Sequence, residues 1–151
     1  MIISTANRND LSEILELQKV CYLENAKRYN DYSISPLIQT IDDLINEFDN
    51  NVILKAIDNN NIIGSLRAYE DRKTCYIGRV IVHPEYQNKG IGSRLMNEIE
   101  KYFPGVEKYE LFTGYKDEKN LYFYNKLGYN KMKEEILSKD LTIVYLVKNR
   151  I

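Results

Sequence analysis

The stretch Q-N-K-G-I-G, residues 87–92, decides how the chain reads. It follows an apolar run with strand character, C-Y-I-G-R-V-I-V (residues 75–82), and a turn, H-P-E-Y (residues 83–86). It opens S-R-L-M-N-E-I-E-K-Y (residues 93–102), where apolar residues recur at helical spacing. A glycine-punctuated turn from a strand into a helix start is a device for holding phosphate. The first N–H groups of a helix lack internal partners, and the aligned peptide dipoles favour negative charge there. Glycine at 90 and 92 removes Cβ atoms that would keep a diphosphate from Gln87, Asn88, Lys89, Gly90, Ile91, Gly92 and the Ser93 hydroxyl. The expectation is a diphosphate-bearing ligand.

Three glycine patterns compete for that reading. The mononucleotide loop, G-x-x-x-x-G-K-S/T, is not present. The dinucleotide pattern G-x-G-x-x-G fits at Gly90 and Gly92, but its third glycine falls on Leu95, whose side chain would block close helix–strand packing. The stretch V-I-V-H-P-E-Y-Q-N-K-G-I-G-S-R-L (residues 80–95) instead resembles the central motif of the GNAT superfamily of acyl-CoA N-acyltransferases, Q/R-x-x-G-x-G/A after an apolar strand. A second block, Y-N-K-L-G-Y (residues 124–129), resembles the late F-Y-x-K-L-G-F/Y motif of the same superfamily, in the right order.

Working outward, 151 residues make one domain, residues 1–151, with room for one real core. Net charge is −1, which argues against nucleic acid or a membrane surface as partner. No apolar run approaches the ~18 residues of a membrane span, and M-I-I-S-T does not read as a signal peptide, so the expectation is a soluble, cytoplasmic protein. Cys21 and Cys75 sit in apolar patterns and read as buried, reduced thiols. One histidine and no Cys/His cluster argue against a metal site.

In order along the chain, residues 2–5 read as a strand, and D-L-S-E at 10–13 as a capping box opening a helix with Leu11, Ile14, Leu15 and Cys21 on one side. The pattern breaks from Tyr22 to Gln39, a polar, tyrosine-rich segment read as a helix end and loop. Thr40 and Asp43 cap a short helix through about Phe48. Strands follow at 52–58 and 62–69 around an Asn59-Asn60-Asn61 turn, then the central strand and the helix after Gly92 carrying Ile91, Leu95, Met96 and Ile99. A strand at 109–113, a helix at 118–127 stopped by Gly128, and an antiparallel pair at 131–136 and 141–147 complete the chain. The order β-α-α-β-β-β-α-β-α-β-β gives an α/β (α+β) class. It matches the fold of the superfamily that the motifs resemble: a mixed, mostly antiparallel sheet with a splayed central parallel pair and helices on both faces.

The resemblance implies acetyl-CoA as acyl donor, with its pantetheine arm and thioester on the backbone of Val80, Ile81 and Val82 and its diphosphate on residues 87–93. It implies direct attack of a primary amine on the thioester, with the Tyr124 hydroxyl protonating the departing thiolate. At pH 7 such an amine, with pKa near 10, is only about one part in a thousand deprotonated, a cost of roughly 4 kcal/mol. The resemblance further suggests Asn120, one turn before Tyr124, as a contact to the CoA arm. Many members carry asparagine and a small residue where this chain has Asp117 and Asn120, and many carry a strand carboxylate as base. Residues 75–82 contain none, so the base is unassigned among Glu24, Glu70, Glu85, His83 and water. The acceptor side is expected in the segment overhanging the sheet, with Glu24, Tyr29 and Tyr32, and at Glu70. A catalytically silent acyl-CoA-binding or regulatory domain is the alternative function, and a homodimer is suggested only by analogy.

Overall fold

A computed structural model describes residues 1–150. Seven strands form one sheet: β1 (Ile2–Thr5), β2 (Val52–Asp58), β3 (Asn61–Asp71), β4 (Thr74–Val82), β5 (Lys108–Gly114), β6 (Asn130–Ser138) and β7 (Leu141–Asn149). Their spatial order is β1-β2-β3-β4-β5-β7-β6, and every pair is antiparallel except β4 with β5. The helices are α1 (Leu11–Tyr29), α2 (Ser35–Ile38), α3 (Ile41–Phe48), α4 (Ile91–Glu100) and α5 (Glu118–Lys126). The expected mixed sheet with helices on both faces is what forms. One short helix, α2, is additional to the expected order.

Two apolar clusters lie on opposite faces of the sheet. Leu11, Ile14, Leu15 and Leu17 of α1 join Leu44 of α3 and Ile53, Ile62 and Ile81 on one face. Ile91, Leu95, Met96 and Ile99 of α4, with Tyr124 of α5, pack on Leu54, Leu66, Ile77 and Leu111 on the other. The helical spacing of residues 91, 95, 96 and 99 put them on one side, and all four are buried. The turn at Asn59 and Asn60 takes positive φ at both residues, as the asparagines suggested. Thr40 and Asp43 form the expected reciprocal cap of α3.

Two local expectations are corrected. The first capping box uses Asn7 and Asp10 at a 3-10 turn, not Asp10 and Glu13. Asp10 also holds Lys55 at 2.7 Å, and Glu13 accepts the Ile62 N–H at 2.7 Å, so both carboxylates pin α1 to the sheet. Second, α1 does not fray at Tyr22 but runs to Tyr29, with Ala26 and Tyr29 buried. Its second half is held by long-range contacts. Arg28 pairs with the buried Asp117, and Asn25 Nδ2 donates to the same carboxylate at 3.4 Å. The Tyr29 hydroxyl accepts the Lys116 N–H at 3.0 Å.

That hydroxyl packs where Gly114 has no side chain. A Cβ built there would stand 1.9 Å from Tyr29 Oη and 3.0 Å from an Asp117 oxygen. Gly114→Ala is expected to destabilise the fold by about 1–3 kcal/mol through overpacking, roughly 2–4 °C per kcal/mol in a domain this size. Tyr29→Phe in the Gly114→Ala background should recover part of that loss. Thermal unfolding of the two single variants and the double variant checks the coupling.

Candidate active site

The parallel strands β4 and β5 pair only at Thr74–Lys108, Cys75–Tyr109 and Tyr76–Glu110. β4 then continues along β3 to Val82, while β5 continues along β7 to Gly114. From Ile77 and Leu111 onward their facing edges carry no ladder, leaving a wedge with unpaired strand backbone on both sides. Val80, Ile81 and Val82 lie on the β4 edge of this wedge. Ile81 turns toward α1, and Val80 and Val82 toward α4. The Val82 carbonyl is already engaged, by Gln87 Nε2 at 3.2 Å and Cys21 Sγ at 3.5 Å.

Directly after β4 the chain makes the anticipated turn. His83 Nδ1 accepts the Glu85 N–H at 3.1 Å and so serves the turn geometry. Asn88 has φ 64° and Gly90 φ 80°, and α4 starts at Ile91 with no side chain capping it. The first helical bond runs from Arg94 N to Gly90 O, so the N–H groups of Ile91, Gly92 and Ser93 are free of helix partners. Lys89 lies 5.4 Å over the Tyr86 ring. The two glycines serve different purposes from the shared one expected. Gly90 is needed for its left-handed backbone, whereas a Cβ at Gly92 would meet the Phe123 ring at 3.1 Å. Ile91 is core, 6% exposed, so its side chain is not free to vary.

On the opposite side, α5 brings Tyr124 against Leu111, with 7% of its surface exposed. Burial drives the phenol pKa upward, reinforced by Tyr22 and Asp117. Asn120 is exposed, with no side-chain hydrogen bond among the described residues.

The family model described as the acetyltransferase (GNAT) family matches residues 11–129. The chain belongs to the GNAT family. No curated protein matches the sequence. Among solved structures, the PaiA N-acetyltransferase of Thermoplasma acidophilum, in complex with coenzyme A, is similar at TM-score 0.79 and 21% identity over 99% of this chain and 100% of that one. An aminoglycoside 6'-N-acetyltransferase complexed with coenzyme A gives TM-score 0.76 and 19% identity, covering 99% and 97%. The ribosomal-protein-S18-alanine N-acetyltransferase of Escherichia coli gives TM-score 0.80 and 12% identity, covering 98% and 92%. At these identities the likeness is one of fold.

Within the GNAT frame, the four acceptor-side residues separate. Glu24 and Tyr32 are exposed on the segment above the sheet. Tyr29 is 4% exposed, and burial raises its pKa to about 12, so it is a packed, neutral phenol with no open face for a substrate. Glu70 stands opposite Cys75, where β4 and β5 are still paired, at the closed end of the wedge. The structure therefore packs Tyr29 behind the Gly114–Asp117 lip of the opening and places Glu70 away from the opening. Both cysteines are free, and burial pushes each thiol up to about 12.

Three residues at the opening were given no role from sequence, although Asp117 was noted as a departure from the family pattern. Asp117, 3% exposed, collects Arg28, Asn25, Thr113 Oγ1 at 3.2 Å and the Gly114 N–H at 3.2 Å. Burial raises the Tyr22 pKa, with smaller opposing influences from the charges of Arg79, Arg67 and Asp117. Arg79 has φ 51° within β4. The signal for Arg79 was a charged residue inside an otherwise apolar strand, next to Gly78.

Gly90→Ala would force a Cβ into the left-handed region at a cost of about 1–2 kcal/mol. The expected result is a fall of roughly 2–8 °C in Tm. An unchanged Tm would show that the loop rearranges.

Proposed function

We propose that the chain is an N-acetyltransferase that moves the acetyl group of acetyl-CoA to a primary amine by direct attack on the thioester. The observation that carries this reading is one continuous surface. The unpaired edge of β4 runs into a turn that ends on the uncapped N-terminus of α4. A pantetheine arm carries amide groups that can pair with a strand edge, and a diphosphate needs the free N–H groups of a helix start. Here the two needs are met in sequence, by residues 80–82 and 87–93. Coenzyme A in two of the similar structures supports the same donor for this chain.

The chemistry then follows from the wedge. The amine enters from the α1 side and attacks the thioester carbon, and the carbonyl oxygen gains charge that backbone N–H groups of the β4 edge can stabilise. Collapse of the tetrahedral intermediate breaks the C–S bond and releases the CoA thiolate. Tyr124 supplies its proton. Burial keeps this phenol neutral at working pH, and the same dry surroundings raise the basicity of the thiolate. The strand bears no carboxylate, so the amine loses its proton to water before or during attack.

Acetyl-CoA and CoA, but not NAD, should stabilise the protein. At ~100 times the dissociation constant the gain is about 2.7 kcal/mol, roughly 5–11 °C. No shift with either CoA species would refute the reading. Tyr124→Phe should lower kcat about a hundredfold and leave the acetyl-CoA shift intact. Stabilisation by acetyl-CoA with no turnover of any amine would instead identify a silent acyl-CoA-binding domain.

Without a protein base, kcat/KM for the acceptor should rise about tenfold per pH unit toward the amine pKa near 10. A plateau at pH 6–7 in stopped-flow or thiol-release kinetics would reveal a base in the protein.

A further inference from the structure

We propose that Arg79 anchors a carboxylate of the acceptor, so that the substrate class is an amine carrying a carboxylate within a few bonds of the reacting nitrogen, as in free amino acids. This deepens the N-acetyltransferase reading above and rests on it.

The backbone singles out Arg79 first. In the β3–β4 register Arg67 faces Gly78 and Ser65 faces Ile81, so Arg79 and Val80 together oppose Leu66 in a bulge. At φ 51° an arginine occupies a conformation suited to glycine. Such strain persists where the surroundings hold it and is commonest at functional sites. The bulge sends the two neighbours apart. Val80 packs toward the α4–α5 core, while Arg79 reaches the α1–α2 side and donates from Nη2 to Ser35 Oγ at 3.1 Å.

The side chain is under-used there. Arg79 Nε is the one buried side-chain nitrogen or oxygen without a hydrogen-bond partner among the described residues. A buried donor left unpaired is costly, and a bound acceptor atom would remove that cost. Nε and Nη2 form the guanidinium edge that takes a carboxylate through two parallel bonds. Nη2 spends one N–H on Ser35, a residue exposed to solvent, and keeps a second.

The charge balance points the same way. Arg67, 4% exposed, lies on this face, and its pKa is lowered by burial first and by the charge of Arg79 in lesser part. Three of its five N–H groups are committed: Nη2 to Glu47 at 3.0 Å and to Gln39 Oε1 at 2.9 Å, and Nη1 to Gln18 Oε1 at 3.1 Å. Among the described residues Glu47 is the single carboxylate bonded to either guanidinium, and Asp117 is taken by Arg28. Two positive charges thus share one negative partner. The nearby Tyr22 phenol, kept neutral by burial, adds a further donor. Arg79 immediately precedes Val80, where the thioester is proposed to lie, so an anion held on Arg79 has an amine a few bonds away within reach of it.

The test is a panel of free amino acids, each against its own C-terminal amide, with a simple diamine alongside, read by CoA thiol release. At least one acid should be acetylated with kcat/KM about tenfold or more above its amide. Arg79→Gln should remove most of that preference by raising KM for the acid, leaving the amide rate and the acetyl-CoA thermal shift unchanged. Arg79→Gly should do the same while unfolding no lower than the parent, because glycine accepts φ 51° freely. Equal use of acids and amides, preference for the diamine, or variants that slow acid and amide alike would overturn the carboxylate assignment. Loss of the acetyl-CoA shift in the parent protein would overturn the donor reading beneath it.

Discussion

β4 and β5 share hydrogen bonds over three residue pairs and then part, and most of the fold is arranged around keeping them apart. Two adjacent strands normally continue to pair, since every unpaired N–H and C=O buried away from water costs free energy. Here each strand is held by its other neighbour. β3 grips β4 as far as Val82, and β7 grips β5 as far as Gly114. The bulge at Arg79 adds local twist to β4 at the point where the wedge widens. The opening is thus enforced by the sheet on both sides, and α1 passes over it.

Asp117 is the clamp at the far lip. Its carboxylate gathers α1 through Arg28 and Asn25, the end of β5 through Thr113 and Gly114, and its backbone carbonyl starts α5 through Leu121. With 3% exposure, that carboxylate is a buried charge fully occupied by donors. Asparagine, with one acceptor oxygen and an amide nitrogen that only donates, could neither accept all of these bonds nor balance Arg28. The change from the commoner asparagine therefore has a local reason, namely the cation that α1 brings to the site. This ties the segment above the wedge to the helix that carries Tyr124.

The individual strands, the helix faces and the turn before α4 were legible because each rests on contacts near in sequence: period-two alternation in residues 52–58, helical spacing at 91, 95, 96 and 99, and a glycine where φ must be positive; the mixed sheet with its parallel pair was implied by the family resemblance. What escaped depended on distant partners. The second half of α1 looks polar because Arg28 and Asn25 face a carboxylate some ninety positions away. Glu13 reads as a cap when its neighbours alone are considered, yet its partner is the N–H of Ile62. Tyr29 was expected at the acceptor site because the resemblance places its segment over the sheet, and its burial follows from Gly114, whose missing side chain makes room for it. Arg79 was overlooked because a bulge reverses the alternation that would otherwise assign its side chain to the opposite face.

The two motifs of the family are also mechanically joined. Gly92, in the first turn of α4, abuts the Phe123 ring so closely that an added Cβ would stand 3.1 Å from it. Phe123 adjoins Tyr124, whose ring lies 5.1 Å away, and Tyr124 in turn meets Tyr129 at 6.3 Å. The Tyr129 hydroxyl donates to Glu100 at 2.8 Å, at the last residue of α4. Both ends of α4 are therefore fixed to the α5 segment, through an apolar contact at its start and a hydrogen bond at its end. Close-packed contacts of this kind transmit displacement rather than absorb it. The helix start proposed to hold the diphosphate and the phenol proposed to protonate the thiolate thus belong to one rigid unit. A donor seated on the first would meet the second at a set distance, and positioning of that kind supplies part of the rate.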